Sequence, residues 1–276
     1  MPVEHYENFP VASWLLPARM RRSVAVLYHF ARSADDLADE GDAGPQQRLA
    51  ELNEYRSQLD LIAAGCHPTS PQFIDLAETV QQHKLPLELL YDLLDAFSQD
   101  VVKKRFANFD ELLEYCRRSA NPVGRLLLTM ARQDSSRQLE HSDFICTALQ
   151  LINFWQDIAI DWQKGRLYLP IEDLQRFDIN ETDIETGRID GNNWRPLIRF
   201  QCARARELML RGAPLCSTLP GRLGWEIRLT VQGGLRILEL IEAADCDVFR
   251  HRPHLEKRDW LLIFWRALKT IILHNR

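Results

Sequence analysis

The sequence predicts an all-α protein, and three observations predict it. Apolar residues recur with a period near 3.6 along most of the chain, whereas two-residue alternation is hard to find. Glycine is scarce, and the prolines fall mostly where the periodic pattern breaks. No Ser/Gly linker, repeat or low-complexity tract divides the chain, so a single helical domain over 1–276 is the economical arrangement.

Taken in order, helices are expected at 18–40, 45–64, 71–82, 86–104, 109–134, 137–163, 194–212, 219–248 and 257–273. The helix at 109–134 carries Pro122 in mid-pattern. The ring removes a backbone donor and crowds the preceding turn, so a kink near Asn121 is expected. The helix at 137–163 is apolar on nearly every side, which marks a buried helix. From Gly165 to about Asn193 the pattern loosens, with a short helix expected near Glu172. The last helix, DWLLIFWRALKTIILHNR, is strongly apolar with Arg266, Lys269 and Arg276 among its cations. It reads either as a terminal core helix or as an interfacial one.

Bulk properties exclude several functions. Apolar residues make up 46% of the chain, enough for a large core. The net charge of −5 argues against nucleic acid as a partner. The six cysteines form no C-x-x-C pair and no cluster with zinc spacing, so reduced thiols in a cytoplasmic protein are expected. In MPVEHYENFPVASWLLP, acids precede an apolar run that Pro10 and Pro17 interrupt, which does not read as a signal peptide. No run of about 18 apolar residues suggests a membrane span.

Two acidic stripes carry the chemistry. In YHFARSADDLADE, Asp35 and Asp39 lie four apart and share a helical face; Asp36 and Glu40 repeat the spacing beside them. Tyr28 and Arg32 continue that face toward the N-terminus, while Ala31, Ala34 and Ala38 allow close helix packing elsewhere. Four carboxylates at a helix C-terminus oppose the macrodipole and repel one another, which favours a gathered cation over a merely solvated helix end. In DFICTALQLINFWQDIAIDWQKGRLYLP, Asn153, Asp157 and Asp161 follow at four-residue steps on an otherwise apolar helix. Buried carboxylates must meet cations, protonate or face a wet cavity; buried arginines are the structural alternative. Oxygen donors without His or Cys favour Mg²⁺ shared with phosphate oxygens. A di-iron bundle would need Glu-x-x-His pairs, and none occurs. Arg32 and Arg166 lie beside the two stripes and suit phosphate; Arg250, Arg252 and Lys257 cluster near the end.

These stretches resemble the squalene/phytoene synthase family over nearly the whole chain, most specifically in YHFARSADDLAD and LINFWQDIAIDWQKGRLYLP. The resemblance implies a helical isoprenoid-synthase-like bundle around a central cavity. It implies that Asp35, Asp36 and Asp39, with Asn153, Asp157 and Asp161, hold Mg²⁺ against a prenyl diphosphate. Tyr28, Arg32, Arg166 and Tyr168 match family positions around that diphosphate, and Asp100 and Arg105 match recurrent polar positions. Two departures stand out. Gln156 replaces the usual Arg before the second motif's first Asp, and Ser119-Ala120-Asn121-Pro122 replaces a Val-Ala-Gly run. With NFPVAS, which ends at Ser13, they resemble the bacterial hydroxysqualene synthase branch. That resemblance implies presqualene diphosphate as substrate and hydroxysqualene as product, with Ser13 and Asn121 among the substrate contacts. Gln156 would place the attacking water or pack on the helix. Phe30, Phe154 and Tyr168 are candidates to face a carbocation.

The implied location is the cytoplasm, with peripheral contact at the inner membrane face. The implied functional partner is a presqualene diphosphate synthase. Head-to-head condensation to presqualene diphosphate or phytoene is the near rival. Head-to-tail elongation fits DDLAD but not the second motif, and a non-catalytic binding protein would be free to lose its acids.

Overall fold

The computed structural model describes residues 16–186, 193–250 and 252–274. Its helices are α1 (Ala18–Asp39), α2 (Pro45–Ala63), α3 (Pro71–His83), α4 (Glu88–Val102), α5 (Phe109–Ser119), α6 (Asn121–Ala131) and α7 (Ser136–Gln156). They continue with α8 (Ile158–Gln163), α9 (Ile171–Arg176), α10 (Glu181–Glu185), α11 (Trp194–Gly212), α12 (Leu215–Thr218), α13 (Gly221–Ala243) and α14 (Lys257–His274). Apart from one isolated bridge between Arg105 and Leu167, the described residues form no β-structure. The all-α expectation holds.

Two expected helices are divided. The kink foreseen near Asn121 is a full break: α5 ends at Ser119, Ala120 intervenes, and Pro122 occupies the first turn of α6. A missing N–H is harmless in a first turn and disruptive in a helix interior, so the proline starts a helix rather than bending one. The expected helix at 137–163 stops at Asp157, whose backbone (φ −104°, ψ 12°) leaves helical geometry before α8 begins. The hydrogen bonds Asp157 N to Asn153 O (2.9 Å) and Asp161 N to Asp157 O (2.8 Å) survive the break. The helix expected at 219–248 is α13, ending at Ala243. The short helix foreseen near Glu172 is α9; α10 was not foreseen, and its capping box joins Asn180 and Asp183.

The chain divides into two compact units. Among the described residues, one comprises 16–103 and 115–139. Here α1 packs on α2, α3, α4 and α6. Its inward residues Met20, Val24, Phe30, Ala34 and Ala38 repeat at helical spacing, and the two alanines let neighbouring backbones approach. Phe30 has no exposed surface and is held between Tyr55 and Phe73, with ring centroids 6.0 Å from each. It belongs to the core, which corrects the expectation that it faces a reacting cation. On α4 the buried face Leu90, Leu93, Leu94, Ala96, Phe97 and Val101 also carries Asp100.

Among the described residues, the other unit comprises 104–114, 140–186, 193–250 and 252–274. There α13 packs on α11, α12 and α14. Gly234 is required by close approach: a Cβ would stand 2.7 Å from Met209 Cε on α11 and 3.2 Å from Ile152 Cδ1 on α7. The segment after α8 is tied to the chain before α5. Leu167 N bonds Lys104 O (3.0 Å), Ile171 N bonds Phe106 O (2.9 Å) and Glu172 N bonds Ala107 O (3.0 Å). Gly165, with φ +75°, makes the left-handed turn that starts this return.

Candidate active site

The first acid set sits on the last turns of α1, with its own helix supplying the counter-charge. Arg32 reaches Asp36 at 2.7 Å, Glu40 at 2.9 Å and Asp35 at 3.5 Å. Burial pushes the Arg32 guanidinium down; Asp36, Asp35, Glu40 and Tyr28 outweigh it, and the net shift is upward. One guanidinium does not balance the cluster. The Asp35 carboxyl is pushed up from 3.8 to about 7, first by burial, then by Asp39, with Arg32 opposing and Asp100 and Asp36 adding. Its side chain keeps 39% of its surface open, so the group is crowded by protein yet wet.

Asp100 approaches from α4. It is buried and accepts a hydrogen bond from the buried Tyr115 hydroxyl at 2.7 Å. Sequence reasoning marked Asp100 and missed Tyr115, because a lone tyrosine on α5 carries no spacing signal. Asn121 is buried at the start of α6, a helix that packs on both α1 and α4.

The second acid set is built around the break after α7. Asp157 receives two hydrogen bonds from Arg252, Nε to Oδ1 and Nη2 to Oδ2, the latter at 3.0 Å. The arginine alternative raised for this acid is therefore realised, on a partially exposed pair. Gln156 is buried, and its Nε2 donates to Pro253 O at 2.6 Å. Neighbouring residues 252 and 253 thus hold the C-terminus of α7 from the same strand of chain. The Gln156 Oε1 and Asn153 Oδ1 acceptors are buried without a hydrogen-bond partner among the described residues.

Beyond the break, Arg166 N bonds Asp161 O at 2.8 Å, and the Arg166 side chain is buried. Tyr168 is face-stacked on Phe154, with centroids 3.7 Å apart and planes 8° apart, and lies 5.6 Å from Phe106. The Trp162 ring carries the Arg105 guanidinium at 5.1 Å. Arg105 also forks onto Glu181 (2.9 and 2.8 Å) and bonds Gly165 O (2.7 Å). That fork first, against burial, holds the Glu181 carboxyl below its usual range. Arg105 thus fixes the turn that presents Arg166 and Tyr168. Ser13 lies outside the described residues.

The donor chemistry suits a hard cation. Carboxylate and amide oxygens surround both motifs, and the repulsion around Asp35 is relieved by added positive charge. Among the described residues no three His, Cys, Asp or Glu side chains converge as a ready metal site. Mg²⁺ is satisfied by one or two carboxylates, completing its shell from water and phosphate.

The family profile for squalene/phytoene synthase matches residues 3–259. The chain belongs to the squalene/phytoene synthase family. A hydroxysqualene synthase from Zymomonas mobilis is 36% identical over 257 residues, covering 91% of this chain and 82% of that protein. A phytoene synthase from Arthrospira platensis is 29% identical, covering 91% and 85%. The crystal structure of a squalene synthase from Alicyclobacillus acidocaldarius superposes with a TM-score of 0.81 at 36% identity, covering 88% of this chain and 90% of that one. A dehydrosqualene synthase at 21% identity matches in fold, also with a TM-score of 0.81. This family member therefore has the all-α isoprenoid synthase fold, as the resemblance implied, and is a prenyltransferase-type synthase. Its likeness to the bacterial hydroxysqualene branch rests on relatives that are 30–36% identical.

Proposed function

We propose that this enzyme is a Mg²⁺-dependent hydroxysqualene synthase, converting presqualene diphosphate and water to hydroxysqualene and diphosphate. The carboxylate crowd that raises Asp35 to about 7 carries the metal–diphosphate part of this reading. The 36% identity to a hydroxysqualene synthase supports the choice of reaction.

Asp35, Asp36 and Asp39 with Asn153, Asp157 and Asp161 would hold the metal. When bound, Mg²⁺ supplies a counter-charge for the leaving diphosphate. Arg32 and Arg166 donate N–H bonds to phosphate oxygens. Ser13, Tyr28 and Asn121 complete the substrate contacts. The C–O bond breaks with its electron pair on the diphosphate, leaving a cyclopropylcarbinyl cation. Tyr168, held in its stack with Phe154, stabilises that cation through its ring. Gln156 is fixed through its Nε2 and keeps Oε1 as an acceptor for one water O–H. A neutral amide orients this water without setting a positive charge beside the cation. The water oxygen bonds to carbon, and its proton leaves with diphosphate. A presqualene diphosphate synthase would supply the substrate.

The phytoene synthase relatives favour a second reading, head-to-head condensation of two prenyl diphosphates. Purified protein incubated with Mg²⁺ and without NADPH separates the two. Presqualene diphosphate is expected to yield hydroxysqualene. Turnover of farnesyl or geranylgeranyl diphosphate with none of presqualene diphosphate supports condensation instead. Inertness toward all three points to a binding protein and overturns both.

A further inference from the structure

Helix α14 carries apolar residues on both its inner and its outer side. Asp259, Ile263 and Ala267 face inward and are buried. The opposite side exposes Trp260 (50%), Leu261 (77%), Phe264 (56%) and Trp265 (55%). These follow the spacing i, i+1, i+4, i+5 and form one stripe. Trp225 on α13 stacks against Phe264, with centroids 5.7 Å apart and planes 14° apart, and widens the patch. Scattered exposed apolar side chains are ordinary, but a contiguous aromatic stripe marks an interaction surface.

The exposed charges around the stripe are mainly cations; the exposed acid Glu256, just before the helix, pairs with Arg258 at 3.0 Å. Lys257 and Arg258 are exposed at its start, and exposed Lys269 holds its ammonium 5.3 Å from the Trp265 ring centroid. The one acid between Lys257 and Lys269 is Asp259, which is buried and bonded to Arg236 at 2.8 Å. Arg266 is spent inward on Glu239 at 2.6 Å. A chain of net charge −5 thus turns aromatic rings and cations outward along one helix. No described helix is long and apolar enough to cross a membrane.

We propose that the outer face of α14, with Trp225, docks the protein on an anionic lipid bilayer surface. Tryptophan and phenylalanine enter the headgroup–acyl boundary while lysine and arginine meet anionic headgroups. Docking of a second copy by the same face would bring Lys257, Arg258 and Lys269 toward their own counterparts. This surface stands independently of the reaction assigned above.

Flotation of the full chain with preformed vesicles, without metal or substrate, tests this. Vesicles of phosphatidylcholine mixed with phosphatidylglycerol should carry the protein up; phosphatidylcholine alone should carry much less. Leu261→Asp/Trp265→Asp should lower partitioning at least about tenfold, with an unchanged circular dichroism spectrum. Arg258→Glu/Lys269→Glu should lose about fivefold per residue on anionic vesicles only. Leu210→Asp, at an exposed apolar site on α11, should change nothing. The proposal is overturned if the wild type stays at the bottom with both lipids, or if Leu261→Asp/Trp265→Asp floats like wild type. It is equally overturned if sedimentation without lipid shows a dimer that this double variant abolishes.

Discussion

The two acid-bearing regions solve the same electrostatic problem differently. On α1 the helix is unbroken, and the partner, Arg32, lies one turn away on the same face. One cation serves Asp35, Asp36 and Glu40, so negative charge is left in excess. At the α7–α8 junction the helix breaks at Asp157, and the partner, Arg252, comes from 95 residues later. That acid has its own guanidinium. A local ion pair leaves a region electrostatically hungry for a cation; an imported one anchors distant chain and must yield before another cation takes the carboxylate.

The sharpest way to break this comparison is to neutralise one acid in each region. Asp35→Asn and Asp157→Asn are each expected to cut turnover by at least about a hundredfold while the helical spectrum is kept. Near-normal steady-state rates in either variant would remove that region from the site. Next comes Arg252→Ala, which strands Asp157. On a partially exposed pair this should cost about 1–2 kcal/mol in urea unfolding. Arg32→Ala removes an i,i+4 pair from a wetter site and should cost less than about 1 kcal/mol. Equal losses would erase the distinction between a local and an imported partner.

Titration sharpens the comparison further. Asp35 is harder to ionise in the folded chain than in the unfolded one, so its ionisation opposes folding. That penalty is full above pH about 7 and fades as pH falls toward the unfolded value of 3.8. Without metal, this group therefore contributes a rise in melting temperature as pH drops from 8 to 6, and Asp35→Asn should abolish that contribution. Mg²⁺ should stabilise the wild type more at pH 8 than at pH 6, by a shift on the order of a few degrees. A metal effect unchanged by Asp35→Asn would place the cation elsewhere. The smallest effect is expected at Gln156. Gln156→Ala should leave the fold and substrate affinity nearly intact but shift the ratio of hydroxylated to other products; an unchanged ratio would leave it only the latch to Pro253.

Most helices were legible because burial follows a period that sequence displays directly. The span 194–212 matches α11, and α1 departs from its expected end by one residue. The candidate site was legible to the extent that its residues cluster in sequence: Arg32 with Asp35, Asp36 and Asp39, and Asn153 with Asp157 and Asp161. Tyr115 was not, because its role arises from meeting Asp100 across two helices. Phe30 looked available beside the first motif and is instead buried between Tyr55 and Phe73.

By itself, the sequence determined the helical class, both acid stripes and the family, since these rest on local spacing and residue type. Only the tertiary structure decided that Arg252 seals Asp157, that Pro253 holds Gln156 and that α14 turns its tryptophans outward. The physical reason is range. Helical periodicity is set by neighbours three and four residues away, whereas pairing and exposure depend on which distant segments the packed chain brings together.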